Sequence, residues 1–356
     1  MNQPLPTATP AKPPKVYVIL LNWNGWRDTV ECMESVFRQD YARYQVVVCD
    51  NDSKDQSLQH LRDWAQGRSP VQVDEQHPLR RLSWPNVAKP VEFVELSRQQ
   101  AEAPRQSPLT QPLILIQTGA NLGFAGGNNV GMRFALAQGD ADYVWILNND
   151  TVVEADALQA MVNRCESAPP DQPMTCGSLV CFYSDPQVIQ AMGGSAFNTR
   201  TGIASMTLGR FRRRDESIDH AAIEKTMAYV TGCTWLLPIR FLQDVGLMEE
   251  GYFLYYEEID WVMRAGQRFG MGYAPDSIVY HKEGSSIGSK TMNRAPSLFA
   301  EFYMTRSKLL FMRRFFPGNV WVVYLSSLAQ AANRVRQGHA HNARMILRAL
   351  LGRSFK

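Results

Sequence analysis

The chain has 356 residues, 45% hydrophobic and 20% charged, enough for one large α/β domain with appendages or for two domains. A net charge of +3 is too small to argue for nucleic acid as a partner. Six cysteines (Cys32, Cys49, Cys165, Cys176, Cys181, Cys233) form no CxxC pair, no signal peptide is visible and no apolar run reaches the roughly 20 residues of a membrane span, so free thiols in a reducing cytoplasm are expected.

Residues 1–14 hold five prolines and read as a disordered lead-in. Residues 15–22 (KVYVILLN) form a near-continuous apolar run, the mark of a central parallel strand. Asp28 is a candidate N-cap for a helix over 29–39. A second buried strand, 44–49, stops at Asp50-Asn51-Asp52-Ser53, and a helix over 57–66 follows. Strand, helix, strand, helix in this span is a βαβ unit of a doubly wound sheet. Residues 70–112, with seven prolines, break the pattern and read as an insertion holding a short strand near 91–96.

Order returns with a strand at 112–117 and a Gly/Asn-rich turn, 118–129, that leads into a helix over 130–137. Glycines let a ligand approach the backbone, and a helix N-terminus favours anions; alone, the turn reads equally as a tight strand-to-helix connection. The strand 143–147 then stops at Asn148-Asn149-Asp150. A carboxylate at a strand tip stands at the rim where open α/β sheets bind ligands, and it can hold Mg²⁺ or Mn²⁺. The plainer reading makes Asp150 the cap of a helix that starts near Val153.

The second half predicts a helix over 155–165, a strand over 174–182, a Gly/Ser/Thr-rich stretch over 189–209 and a kinked strand over 228–239. A helix over 257–269 opens with Glu257, Glu258 and Asp260, acids that the helix dipole alone would favour. A strand over 272–280 ends at His281, which by itself reads most simply as a hydrogen-bonded structural histidine. From about Ser297 the tail is helical, apolar and basic.

Taken in order, NWNG (22–25), CDNDSKD (49–55), NLGFAGGNN (121–129), WILNND (145–150), YYEEIDWVMR (255–264) and YHKEGSS (280–286) resemble family 2 glycosyltransferases, most of all rhamnosyltransferase-like bacterial members. The resemblance covers roughly residues 15–315. It implies the glycosyltransferase A fold: a mostly parallel doubly wound sheet with a nucleotide-sugar half (15–152), an acceptor half (153–296) and here a helical C-terminal region (297–356). It also implies a nucleotide-diphosphate sugar donor, a divalent cation, inversion at the anomeric carbon and a role in cell-surface polysaccharide or lipopolysaccharide assembly.

By position, the resemblance makes Asp50 the acid that contacts the nucleobase, with Asn22, Asn24 and Ser53 in the same loops. Asn121, Gly126 and Asn128 fall in the donor loop. Asn148-Asn149-Asp150 stands where the family has an Asp-x-Asp metal motif, so Asp150 is left as its one carboxylate. His281 matches a histidine that completes the metal site. Glu258 takes the place of the general base, with Glu257 before it and Asp260 orienting it or binding acceptor. The alternatives are a metal-dependent nucleotidyltransferase and a non-catalytic sugar-nucleotide binding module. The basic tail could lie on the anionic inner face of a membrane, which would suit a lipid-linked saccharide acceptor, or pack with solvated basic faces.

Overall fold

The computed structural model describes residues 12–282 and 296–355. Residues 1–11 of the Pro-rich lead-in and Glu283 to Ser286 of the last motif lie outside them.

The first half lays down β1 (Val16–Asn22), α1 (Trp26–Val36), β2 (Tyr44–Asp50), α2 (Ser57–Ala65), β3 (Phe93–Ser97), α3 (Arg98–Glu102), β4 (Leu113–Gln117), α4 (Gly123–Gln138), β5 (Tyr143–Asn148), β6 (Thr151–Val153) and α5 (Ala157–Glu166). The second half adds β7 (Met174–Phe182), β8 (Ile189–Met192), β9 (Gly194–Asn198), β10 (Ile203–Thr207), α6 (His220–Thr226), β11 (Tyr229–Val230), β12 (Thr234–Pro238), α7 (Ile239–Val245), α8 (Glu257–Ala265) and β13 (Gly270–His281). Three helices close the chain: α9 (Leu298–Phe315), α10 (Val320–Arg336) and α11 (Ala340–Leu350).

One sheet runs β3-β4-β2-β1-β5-β12-β7-β13-β6, with β8 beside β7, and a small sheet runs β10-β9-β11. The first five strands of that path are mutually parallel, as the apolar runs predict. Both their faces are covered, which is why they read as unbroken apolar stretches. Tyr17, Ile19, Val47, Ile114 and Ile146 pack with Val130 and Phe134 of α4. Val18, Leu20, Val46, Leu115 and Trp145 pack on the other face with Met33, Trp64 and Met161 of α1, α2 and α5. The mixed α/β architecture, with a large and mostly parallel central sheet and C-terminal helices, is therefore as expected.

Several local expectations change. Helix α1 starts at Trp26 with Gly25 at its N-cap, so Asp28 is no cap; it lies in the first turn and accepts from Lys282 Nζ at 2.6 Å. The 70–112 segment is more than an insertion, because β3 pairs with β4 as an edge strand of the main sheet. Asp150 caps no helix: 151–153 is strand β6, and α5 begins at Ala157. The 228–239 stretch is two strands in two sheets, since the turn at Gly232 and Cys233 carries the chain from β11 to β12. Helix α4 starts at Gly123, seven residues before Val130. All six cysteines are buried and free.

Candidate active site

The tips of β1, β2 and β5 are joined by a buried polar chain. Asn149 Nδ2 donates to Thr29 Oγ1 at 2.9 Å, and Thr29 donates to Asn22 Oδ1 at 2.8 Å. Asn22 Nδ2 donates to Asp50 Oδ1 at 2.7 Å and to Ser53 Oγ at 3.1 Å. Asp50 Oδ2 accepts the Ser53 N–H, and Ser53 Oγ accepts the Asn24 N–H. Each group has a partner, as burial demands. The chain fixes the loops after three parallel strands relative to one another.

Beside that network lies a cavity of about 270 Å³. Asn121, Asn148, Asn149, Asp150, Glu257, Glu258 and His281 all line it. The sheet register explains two of these. His281 ends β13 opposite Thr151 of β6, and Lys282 N–H donates to the Asp150 carbonyl at 3.0 Å. This brings His281 Nε2 to 3.1 Å from Asp150 Oδ1. The other ring nitrogen, Nδ1, donates to Gln190 Oε1 of β8 at 3.0 Å, which fixes the ring's orientation. Burial raises the Asp150 carboxyl, but the charge and hydrogen bond of His281 and the charge of Lys282 outweigh it and hold it below the usual range.

Glu257 and Glu258 reach the cavity from the first turn of α8. The turn before them is strained: Phe253, Tyr255 and Tyr256 have φ of 68°, 67° and 74°, the left-handed region that bulky residues avoid. Two neighbours hold it there. Phe124 N–H donates to the Phe253 carbonyl at 2.7 Å, next to Gly123, whose own φ is +72°. From α9, Ser307 Oγ donates to the Leu254 carbonyl at 2.8 Å and Tyr303 stacks on Phe253. Glu257 is 2% exposed, and its Oε2 has no hydrogen-bond partner among the described residues. Burial, and then the Glu258 charge, raise its carboxyl well above the ordinary glutamate range. Burial also raises Glu258, opposed by hydrogen bonds from its own N–H and that of Gly232.

Three residues expected at the site are elsewhere. Asp260 points away from the cavity: it is fully buried, accepts from Tyr252 OH at 3.0 Å and pairs with Arg264 at 2.6 Å and Arg314 at 2.9 Å. Helical periodicity causes this, since positions 258 and 260 lie on different faces of α8. Gly126 and Asn128 sit inside α4 and do not line the cavity; Asn128 Nδ2 donates to the Phe124 carbonyl at 3.0 Å. Asp50, Asn22, Asn24 and Ser53 brace the rim, while Trp23 and Asn51 beside them face the cavity. Asn51 holds the loop before α4 through Asn121 Oδ1 and the Leu122 N–H.

The sequence reading also missed Trp23, Asn51, Gln190, Gly232, Tyr255 and Phe299. Trp23 and Asn51 stood within motifs already noted. Nothing in the sequence marked Gln190 or Phe299.

The model of glycosyl transferase family 2 matches residues 17–81 and 95–237, more than half of the chain. The chain belongs to glycosyl transferase family 2. The match covers the β1, β2 and β5 tips and ends at β12, before α8 and His281. A curated relative, the low-salt glycan biosynthesis hexosyltransferase Agl10 of Haloferax volcanii, is 23% identical over 184 residues, 49% of this chain and 53% of its own. The chain thus spans about half the length of the relative it matches. Among solved structures, the mannosyltransferase PcManGT from Pyrobaculum calidifontis in complex with GDP-Man and Mn²⁺ aligns with TM-score 0.49 at 16% identity, covering 99% of this chain and 79% of that one. GalNAc-T7 with UDP, GalNAc and Mn²⁺ aligns with TM-score 0.47 at 12% identity, covering 83% and 48%.

Among the described residues no group of three or more His, Cys, Asp or Glu side chains is arranged to hold a metal. The pair Asp150 and His281 nonetheless suits a cation shared with substrate. Magnesium-type ions are commonly held by one or two protein ligands, with phosphate oxygens and water completing the shell. The Gln190 contact on Nδ1 leaves Nε2 as the ring atom that faces Asp150 and the cavity.

Proposed function

We propose that this family 2 chain is an inverting glycosyltransferase. It moves a hexose, with rhamnose the first to test, from a nucleotide-diphosphate sugar to a saccharide hydroxyl in polysaccharide or lipopolysaccharide assembly. The observation that carries the reading is that Glu258 and the Asp150–His281 pair line one cavity from separate elements. Inversion needs one carboxylate base and a stabilised leaving group, with no covalent intermediate.

In this reading Asp150 and His281 hold a divalent cation, which supplies positive charge to the departing diphosphate. Gln190 keeps the imidazole in place. Glu258 accepts the proton of the acceptor hydroxyl as that oxygen bonds to the anomeric carbon. The bond from that carbon to the diphosphate oxygen breaks, and configuration inverts. The raised carboxyl of Glu258 makes it a stronger base than an ordinary glutamate. The Asp50 network shapes the loops that receive the nucleoside, with Trp23 and Asn51 at the cavity wall. The neutral acid favoured at Glu257 keeps a second negative charge away from Glu258.

The test is a thermal-shift panel of nucleotide sugars, each with and without Mn²⁺. A donor that binds the native state raises the melting temperature by mass action. A nucleotide-diphosphate sugar that stabilises the chain only with Mn²⁺, and is then transferred with inversion, is the expected result. Stabilisation by a nucleoside triphosphate with pyrophosphate release would overturn the reading in favour of nucleotidyl transfer. Donor binding without transfer to any saccharide would leave a binding module.

A further inference from the structure

Helix α10 turns an apolar face to solvent. Its exposed positions include Trp321 (63%), Leu325 (59%), Leu328 (47%) and Val335 (58%). Ala329 and Ala332 are exposed between them. The spacing is that of one helix face, and the buried side carries only Val323, Ser327 and Ala331. The usual polarity of a surface helix is therefore reversed. Eight of the twelve large exposed apolar side chains among the described residues lie between Leu298 and Leu351. Helix α11 packs on α10 and adds Leu347 and Leu351 to them.

Charge is concentrated on the same segment. Residues 302–356 contain ten Lys and Arg and no Asp or Glu, although the whole chain carries only +3. The remainder of the chain is therefore net negative. Some of these cations are spent internally: Arg314 pairs with Glu249 and Asp260, and Arg334 with Glu301. Arg336, Arg344 and Arg353 are exposed.

We propose that the exposed face of α10, with α11 beside it, docks on an anionic lipid surface. An apolar stripe buried at the headgroup boundary and flanking cations drawn to anionic lipid are the two requirements for an interfacial helix. Each cation near such a surface adds to the attraction, and salt screens it. A second copy of the chain fits less well, because a two-fold contact would set this acid-free segment against itself. No helix among the described residues is long and apolar enough to cross a membrane, so the mode is lying on the surface rather than spanning it. The surface is separate from the donor site, yet α9 of the same helical unit contributes Phe299 to the cavity wall.

The test is co-sedimentation of the full chain with phosphatidylcholine vesicles, with and without phosphatidylglycerol. The expected result is pelleting on phosphatidylglycerol vesicles, weak pelleting on pure phosphatidylcholine and loss of binding with added salt. The double variant Leu325→Gln, Leu328→Gln changes only exposed positions, and it should lower vesicle binding at least tenfold while leaving the donor-induced thermal shift unchanged. Failure to pellet on anionic vesicles would overturn the proposal, as would a double variant that pellets like the parent. So would light scattering that shows the double variant breaking up an oligomer without any vesicle binding by the parent. Because donor binding is read separately, failure here leaves the glycosyltransfer reading untouched, and the converse holds.

Discussion

A Cβ added to Gly232 would stand 2.3 Å from Oε1 of Glu258, whose carboxylate accepts the Gly232 N–H. The turn between β11 and β12 thus seats the proposed base. Gly232→Ala must push the carboxylate aside. A displacement of about 1 Å at a reacting group lowers rate on the order of 10²-fold. We expect transfer to fall by that order while the donor-induced thermal shift persists. An alanine variant with full transfer would show that the seat is not used.

Glu258→Gln keeps the shape and removes the base. General-base catalysis contributes on the order of 10²–10⁴-fold, and the loss should appear in kcat with donor affinity retained. Single-turnover transfer measures it, and a variant within a few-fold of the parent would refute the assignment.

Gln190 touches no substrate in this reading; it orients His281. Gln190→Leu should raise the Mn²⁺ concentration needed for half-maximal donor binding by roughly 10–100-fold, the usual consequence of losing such a support. Excess Mn²⁺ should restore binding, which a folding defect would not allow.

Asp260→Ala separates a structural from a catalytic role. The substitution leaves Arg264 and Arg314 without their shared carboxylate and Tyr252 OH without its acceptor. Breaking a buried pair destabilises by about 3 kcal/mol or more. A lowered melting temperature is expected, with transfer per folded molecule near that of the parent. Unchanged stability with lost activity would return Asp260 to the reaction.

Glu257 gives a pH signature. Its carboxyl is raised in the folded chain, so the native state keeps a proton that the unfolded chain releases above about pH 4.3. Stability therefore falls as pH rises from there through the folded pKa, by about 1.4 kcal/mol for each pH unit in that interval. Glu257→Gln removes the effect. It should melt higher than the parent at pH 7, with the difference fading toward pH 4. A constant difference across that range would mean that Glu257 is ionised in both states.

Much of the first half of the fold was readable because one signal dominates there. Residues 16–20 and 144–147 are apolar on both faces of the strand, as strands covered on both sides of a largely parallel sheet are, and their tips follow as the rim where such sheets bind ligands. Helix starts were less legible. Gly123 reads as a loop residue by propensity, yet α4 begins there, where the Phe253 carbonyl takes the Phe124 N–H. Asp260 misled because its neighbour Glu258 belongs to the cavity, and a sequence motif does not show which helix face its members share.

What the sequence determined by itself was local: strands that need cover on both sides, acids and amides at their ends, and a helical tail rich in basic residues. What only the tertiary structure decided was long-range pairing. Asp150 and His281 are far apart in the chain, and the antiparallel register of β6 with β13 sets them 3.1 Å apart. Glu258 of α8 depends in the same way on Gly232, in the turn between β11 and β12, and His281 on Gln190 of β8. Periodicity reports which face of an element is buried. It carries no record of which distant residue will be found across it, because that follows from strand order and register.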